Sequence, residues 1–359
     1  MISEHSLETE QNRLDNRQAS TGSAEGVAQA QANALKRSAE YEHQLELVQN
    51  ILRPALNSRH ALDWEKFKRN TPYEQPEPTL PSYKEYPPEP KPEDPRYQPA
   101  PGPAGSPLNL DAAERRKRET YARYFHDYTA WAEQVKRIEA ENERRYTESV
   151  AAIRQWHNQL RNHRLSQTAY NQSINLRKAD YESLLVEAVE DYCRQILSGS
   201  GFPDIFKRVF DLQYVSTTKT LIVEHSLPLP SDLPRVKGVK FVQAKGEYVE
   251  LRLSDAQLNR IYADVLHQIC LRTLHELYDA DIAQGLNAVV FNGWVEPVDP
   301  ATGSPTRTCI LSVRVEKAAF QALNPWDTDA KACIKALTGS ANTKLHALAP
   351  VIPVLKINH

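Results

Sequence analysis

Apolar residues recur at helical spacing in the N-terminal part of the chain. From Val27 onward they advance in steps of four and three, the spacing that keeps one seam towards a partner helix. Residues 26–70 are therefore predicted to form a first helical arm, kinked at Pro54 because proline deletes a backbone hydrogen bond. The polar residues 1–25 are predicted to be a flexible N-terminus. The seam positions are Tyr41, Leu45, Val48, Leu52, Ala55, Arg59 and Leu62.

A second and longer seam lies within residues 108–200, where Asn109 or Asp111 can cap a helix. The pattern predicts a long helical, coiled-coil arm: a rod from Leu110 to about Leu165, roughly 80 Å long at 1.5 Å per residue, and a further helix from about Gln167 to Leu197. The seam runs through Tyr121, Tyr124, Tyr128, Trp131, Val135, Ile138 and Asn142, then slips by one residue to Tyr146, Val150, Ile153, Trp156 and Leu160.

Aromatic residues dominate the first half of this second seam, at Tyr121, Tyr124, Tyr128 and Trp131. Ordinary dimeric zippers prefer Leu and β-branched residues at such positions. The aromatic knobs favour a flat or irregular partner, which could be the first arm folded back along the second. These four residues are therefore a candidate partner-binding seam.

Proline is concentrated between the two arms, because 13 of the 24 prolines lie in residues 71–107. Proline lacks the backbone donor and is excluded from helix interiors, so this stretch is predicted to be extended. A tight helical hairpin needs only about 2–8 linking residues. The greater length favours a strap that lies along the coiled coil over a free tether. Its predicted anchors are Tyr73, Tyr83, Tyr86 and Tyr97.

Residues 201–359 change from helical period to the period of strands. A hairpin is predicted around Lys245-Gly246, and Ser254 is predicted to cap a long helix that reaches about Tyr278. A final helix is capped by Asp327 or Asp329. The pattern predicts an α+β domain with a mainly antiparallel sheet and two or three helices. The strand segments are 219–225, 239–242, 248–253, 288–291 and 309–315.

Composition limits the cellular compartments and the classes of ligand that the chain is expected to have. The net charge of −2 gives no global attraction to nucleic acid. Four widely spaced cysteines without a CxxC pair are typical of buried thiols, and they predict neither disulfides nor a zinc site. The polar start is unlike a signal peptide, and no apolar run reaches membrane-spanning length. We expect a cytoplasmic protein without cofactor or metal.

The motifs of common catalytic sites are absent from the sequence. There is no Walker A loop, no GxGxxG, no GxSxG and no HExxH. His267 and His275 are interpreted as a partly exposed structural pair. The order of elements from about 180 to 293 matches a PD-(D/E)xK nuclease core, but Arg252 stands where the activating lysine would be needed after Glu250, and a solvent-facing hairpin explains both residues more simply.

A local basic run is the remaining candidate for DNA contact. Arg115, Arg116, Lys117 and Arg118 are consecutive, and residues 109–165 contain 12 basic and 9 acidic residues. Mixed charges of this kind usually form a solvated helix face. Contact with the DNA backbone is the alternative, and it would depend strongly on salt.

An ordered series of short motifs begins after Gly201. It includes Leu221-Ile-Val-Glu224, Ile269-Cys-Leu-Arg272, Val290-Phe-Asn-Gly293 and Ala349-Pro350-Val351. The series, about 160 residues long, resembles the region that precedes the nuclease domain in bacterial restriction-endonuclease-like proteins of the Mrr type. The resemblance implies defence against foreign DNA, and it implies that a nuclease domain would follow His359. It assigns no catalytic residue to this chain.

Three functions stay open at the level of sequence. The first is a non-catalytic scaffold, sensor or oligomerisation module of a restriction-type defence protein, which forms a homo-oligomer through the coiled coil and contacts duplex DNA. The second is a coiled-coil adaptor that binds a protein partner without DNA. The third is a divergent nuclease that uses Glu250.

Overall fold

The computed structural model describes residues 24–100, 110–203, 205–298, 303–324, 329–338 and 345–357. The predictions for the N-terminus before residue 24, for caps at Asn109 and Asp327, and for the strap after residue 100 lie outside these ranges. The chain divides into two compact units. One combines the residues up to Lys66 with those from Ile174 onward, and the other comprises Phe67 to Ser173.

The first unit has a mixed α+β fold with a mainly antiparallel sheet, as predicted. Four strands lie in the order β1-β2-β5-β6, in which only the β2–β5 pair is parallel, and β3 and β4 form a separate antiparallel hairpin. The strands are β1 Phe210–Val215, β2 Thr220–Ser226, β3 Val236–Val242, β4 Glu247–Arg252, β5 Ala288–Val295 and β6 Thr308–Glu316. Strand β1 was not predicted, although its Phe, Leu and Tyr alternate with more polar residues.

Seven α-helices occur among the described residues: α1 Ala24–Gln49, α2 Leu52–Leu56, α3 Leu110–Glu182, α4 Val186–Ser198, α5 Asp255–Ala280, α6 Lys317–Gln321 and α7 Ala330–Thr338. Short 3-10 turns lie at Trp64–Phe67, Pro95–Tyr97, Pro230–Asp232 and Leu345–Ala347. No described helix combines the length and the apolar character needed to cross a bilayer.

Helix α5 is the centre of the first unit. The side chain of Ser254 accepts a hydrogen bond from the backbone N–H of Gln257, which confirms the predicted cap. From Val265 to Leu274 every residue is buried, so the helix packs on all sides. A helix that is enclosed in this way positions polar side chains, such as Gln268 and Arg272, inside the unit.

The N-terminal helices α1 and α2 are part of the first unit and pack against its other elements. The hydroxyl of Ser38 on α1 donates to the Val239 carbonyl and accepts from the Val239 N–H, both at 2.8 Å, which ties α1 to strand β3. The predicted kink occurs at residues 50–51, just before Pro54. Pro54 then lies in the first turn of α2, where its missing N–H is not needed. The prediction of a helix to about Asn70 was wrong, because α2 ends at Leu56.

Helix α3 continues without a break for 73 residues, about 110 Å at 1.5 Å per residue. The expected end near Leu165 was wrong, because Ser166 and Gln167 carry no signal strong enough to stop a helix. The helix ends instead after Glu182, where Leu184 adopts a left-handed conformation with φ of 57°. No glycine or proline marks this position, so the sequence did not reveal it.

Candidate functional site

Two asparagines of α3 bind backbone groups in and just before the proline-rich segment. The side-chain oxygen of Asn142 accepts from the Lys84 N–H at 2.8 Å, and its nitrogen donates to the Lys84 carbonyl at 3.0 Å. Asn171 makes the same two bonds to Arg69, at 2.8 and 3.0 Å. Each asparagine therefore satisfies both backbone groups of one non-proline residue.

Two tryptophans of α3 bind carbonyls of the same segment. The indole N–H of Trp131 donates to Pro87 at 2.9 Å, and that of Trp156 donates to Gln75 at 2.8 Å. Thr71 adds a further contact, because its carbonyl accepts from the side-chain amide of Gln167 at 2.6 Å. Proline-rich backbones have few donors but many carbonyls, so donor side chains on the helix suit them.

The order of these contacts shows the direction and the extension of the segment. It runs antiparallel to α3, since later residues of the segment meet earlier residues of the helix. Asn171 to Trp131 covers roughly 60 Å of helix. Arg69 to Pro87 covers the same distance with 18 residues, so each residue advances about 3.3 Å, close to the limit for an extended chain.

The predicted tyrosine anchors differ in their contacts. Tyr97 is buried, packs edge-to-face on Tyr124 at 5.3 Å, and donates to Asp127 at 2.9 Å. Tyr73 packs on Trp156 and donates to Gln159. Tyr83 and Tyr86 are mostly exposed, so the prediction that they anchor the segment was wrong. The backbone bonds of Lys84, which lies between them, take that role.

The structure separates the four residues of the predicted partner-binding seam. Tyr124, Tyr128 and Trp131 are half-buried on the face that meets the proline-rich segment. Tyr121 is 67% exposed, and Phe125, one turn further on, is 60% exposed. Tyr121 and Phe125, a residue that the heptad pattern did not single out, are therefore both exposed one helical turn apart on α3; they are called the Tyr121–Phe125 pair below.

The basic run lies in the first turns of α3 and does not form one face. Four consecutive helical residues point in four directions, 100° apart. Arg118 approaches Glu114 at 3.8 Å, while Arg115, Arg116 and Lys117 make no ion pair with any described residue. The run remains a prediction for DNA contact, and three of its four cations have no ionic partner among the residues that the structure describes.

A second basic stretch of α3 was not noticed in the sequence. Residues 149–179 contain no Asp or Glu. Arg154, Arg161 and Arg164 are exposed and have no ionic partner in the described part of the chain, and helical geometry places them within about 80° of one another. A count of acids per helical window would have found this stretch.

Clusters with catalytic geometry do not occur among the described residues. Arg252 pairs with Glu250 at 2.8 Å on the exposed hairpin, which agrees with the simpler interpretation of these two residues. His267 is fully buried rather than partly exposed, so that expectation was wrong. No three His, Cys, Asp or Glu residues in the described ranges converge on a metal position. All four cysteines are free and buried, and burial raises the pKa of each thiol.

The first unit contains a buried ionic cluster that the sequence did not predict. The Arg272 guanidinium pairs with Glu276 at 2.8 Å, and both side chains are nearly inaccessible to solvent. Arg272 also donates to the Ile51 carbonyl at 2.8 Å, which satisfies a backbone group at the break between α1 and α2. The i, i+4 spacing of the pair was visible in the sequence, but its burial against residues more than 200 positions away was not.

Comparison with protein-family models, with curated proteins and with solved structures found no match to this chain.

Proposed function

We propose that this chain is a non-catalytic scaffold that self-associates through helix α3, in which the proline-rich segment acts as a strap along the helix. The exposed Tyr121–Phe125 pair is the observation that carries the proposal. Adjacent exposed aromatic side chains on a polar helix are typical of protein interaction sites. A helix-to-helix contact at this pair would give the coiled-coil oligomer.

The strap supports the scaffold role by its contacts with α3. An isolated helix is marginal in water, and tertiary packing supplies most helical stability in proteins. The bonds from Asn142, Trp131, Trp156 and Asn171 provide such packing while leaving the opposite face of the helix open. The helix can therefore present a surface without a second long helix from the same chain.

We further propose that this scaffold is part of a restriction-type defence protein. This proposal is based only on the motif series after Gly201. In that setting the chain would assemble copies of an effector nuclease rather than cut DNA itself. The adaptor hypothesis differs in one respect, because the Tyr121–Phe125 pair would then bind a different protein and the purified chain would be a monomer.

Light scattering of the purified chain separates these two readings. We expect a dimer that Tyr121→Gln/Phe125→Gln converts to a monomer with unchanged helix content, because glutamine is a good helix former. Leu165→Gln is the matched control, since Leu165 is also exposed on α3. A monomeric wild-type chain would refute self-association.

Contact with nucleic acid is a second candidate function, favoured by three arginines in the acid-free stretch of α3 that lack an ionic partner in the described part of the chain. Their long side chains can reach the phosphate backbone of a duplex, and this binding would weaken as salt rises. The same stretch contains no carboxylate that would repel phosphate.

Fluorescence anisotropy with a labelled DNA duplex tests this contact. We expect binding at low salt that Arg154→Gln/Arg161→Gln/Arg164→Gln weakens, with a shallower salt dependence. The control Arg137→Gln/Arg144→Gln removes arginines that approach Glu133 and Glu148 at 3.8 Å. Equal losses in both variants, or no binding at low salt, would refute a specific face on α3.

A further inference from the structure

A cavity of about 550 Å³ lies in the first unit, beside the break between α1 and α2. Its wall is mainly apolar and includes Leu47, Ile51, Phe202, Ile205 and Leu233, with Arg272 as its buried cation. Sites for small molecules in proteins typically measure about 300–1,000 Å³ and combine apolar walls with a few polar groups. The cavity has the size and the lining of such a site.

Arg272 brings unused donors to the cavity. Its Nε–H is shared between Ser200 Oγ at 3.1 Å and Glu276 Oε1 at 2.8 Å, and Nη1 donates to the Ile51 carbonyl at 2.8 Å. A guanidinium has five N–H groups. One hydrogen on Nη1 and both on Nη2 therefore have no acceptor in the described part of the chain, which does not include residue 204. Arg272 as a whole residue is only 3% exposed.

The guanidinium is fixed in orientation as well as in position. It lies over the Phe202 ring, 4.4 Å from the ring centroid. The Glu276 and Ile51 bonds hold it from two further directions. A donor group held in this way can bind an acceptor without first losing side-chain freedom.

The charges around the cavity select the kind of acceptor. Glu276 already balances the charge of Arg272, and its second oxygen, Oε2, is buried without a partner among the described residues. Asp232 lines the same cavity and adds a further negative charge. A carboxylate or phosphate would add to this negative charge, whereas an uncharged carbonyl would not.

We propose that this cavity binds a small, uncharged and mainly apolar molecule whose carbonyl oxygen accepts hydrogen bonds from Arg272. The apolar body of the ligand packs against Leu47, Ile205 and Leu233. This inference does not depend on self-association or on nucleic-acid contact. It gives the first unit a ligand-binding role in addition to the proposed scaffold role of α3.

Titration with three probes of similar size tests the proposal, by ligand-observed NMR on the full chain. N-methylbenzamide carries an uncharged amide carbonyl, and benzoate carries a negatively charged carboxylate. Toluene carries no hydrogen-bond acceptor of this kind. We expect N-methylbenzamide to bind at least about tenfold more tightly than either of the others. Benzoate binding as tightly would overturn the charge argument, and toluene binding as tightly would overturn the role of Arg272. No binding of the amide up to about 10 mM would overturn the site itself.

A pair of matched variants tests the location without disturbing Arg272, whose loss could unfold the unit. Leu47→Trp fills the cavity from α1, where Leu47 is half-exposed. Leu35→Trp is the control, because Leu35 is exposed on the same helix and lies outside the cavity. We expect Leu47→Trp to abolish amide binding with an unchanged melting temperature, and Leu35→Trp to preserve it. Amide binding that survives Leu47→Trp would place the ligand elsewhere and refute the proposal.

Discussion

The carboxamide of Asn142 pairs with both backbone groups of Lys84, accepting from its N–H at 2.8 Å and donating to its carbonyl at 3.0 Å. Asn142 is 5% exposed, so this exchange occurs away from water. The two bonds resemble those of a hydrogen-bonded pair in an antiparallel sheet, except that a side-chain amide takes the place of the neighbouring strand's backbone. The proline-rich segment can thus dock on a helix although the prolines near this point, Pro81, Pro87, Pro88 and Pro90, lack an N–H.

Replacement of Asn142 by alanine is expected to destabilise the unit of residues 67–173. Both backbone groups of Lys84 would lose their partner, which typically costs about 1–3 kcal/mol for buried groups. Urea unfolding followed by circular dichroism measures this loss. Asn158→Ala is the control, since Asn158 is exposed on the same helix. A loss no larger than that of the control would contradict the role of the Asn142–Lys84 pair.

The sequence predicted the elements of the fold better than their partners. The hairpin around Gly246, the Ser254 cap and the β5–β6 pair were foreseen because their turn and cap signals are local. The seam of α1 was also visible, but its main partner is strand β3, with a smaller contact to helix α5. Periodicity shows which face is buried and does not identify the surface that covers it.

The contacts of the proline-rich segment show the same limit. Thirteen prolines predict an extended chain, and Asn142 is one of the predicted seam positions. The bonds from Asn142 to the backbone of Lys84 could not be predicted, because a pattern of side chains does not show which backbone groups need a partner. The cavity beside Arg272 was also hidden, since Ile51, Phe202 and Leu233 are distant in sequence and meet only in the fold.

Acid is expected to destabilise the first unit through its buried histidines. Burial lowers the pKa of His225 and of His267 to about 4, and the charge of Lys331 adds to the effect at His267. Both folded-state pKa values lie below the unfolded value near 6.5, so the unfolded chain binds more protons between pH 6.5 and pH 4. Stability is therefore present above pH 6.5 and falls with the pH, by about 2 kcal/mol per histidine at pH 5.

His267→Leu isolates one of these contributions. Neither ring nitrogen of His267 has a partner among the described residues, so leucine should cost little at pH 7. The free energy of unfolding should fall between pH 7 and pH 5 in both proteins, and the fall should be smaller in the variant than in the wild type by about 2 kcal/mol. His43→Gln, at an exposed position of α1, is the control. An equal pH dependence in wild type and His267→Leu would show that His267 does not contribute.

Gly293 is expected to be intolerant of a methyl group. A Cβ built there would lie 2.2 Å from Leu227 Cδ1 and 3.1 Å from Leu227 Cγ, and Leu227 is itself buried. Gly293→Ala should cost about 1–3 kcal/mol through overpacking. Gly201→Ala is the matched control, because its nearest neighbour would be Arg272 Nη2 at 3.8 Å. Thermal melting that ranks the two variants equally would contradict the close packing at Gly293.

Removal of Arg272 is expected to be more damaging than removal of its whole ion pair. Arg272→Met leaves Glu276 buried without its cation, and broken buried pairs typically cost about 3–5 kcal/mol. The double variant Arg272→Met/Glu276→Gln removes the uncompensated charge and should recover part of the loss. If the double variant is less stable than Arg272→Met in urea, then Arg272 does not stabilise the unit by compensating the charge of Glu276.

The scaffold role of α3 is tested most directly by the molar mass of the full chain in solution, measured by multi-angle light scattering during size-exclusion chromatography. We predict a dimer for the wild-type chain and for Leu165→Gln, and a folded monomer for Tyr121→Gln/Phe125→Gln. A wild-type chain that elutes as a monomer at all accessible concentrations, or a double variant that stays dimeric, would contradict it.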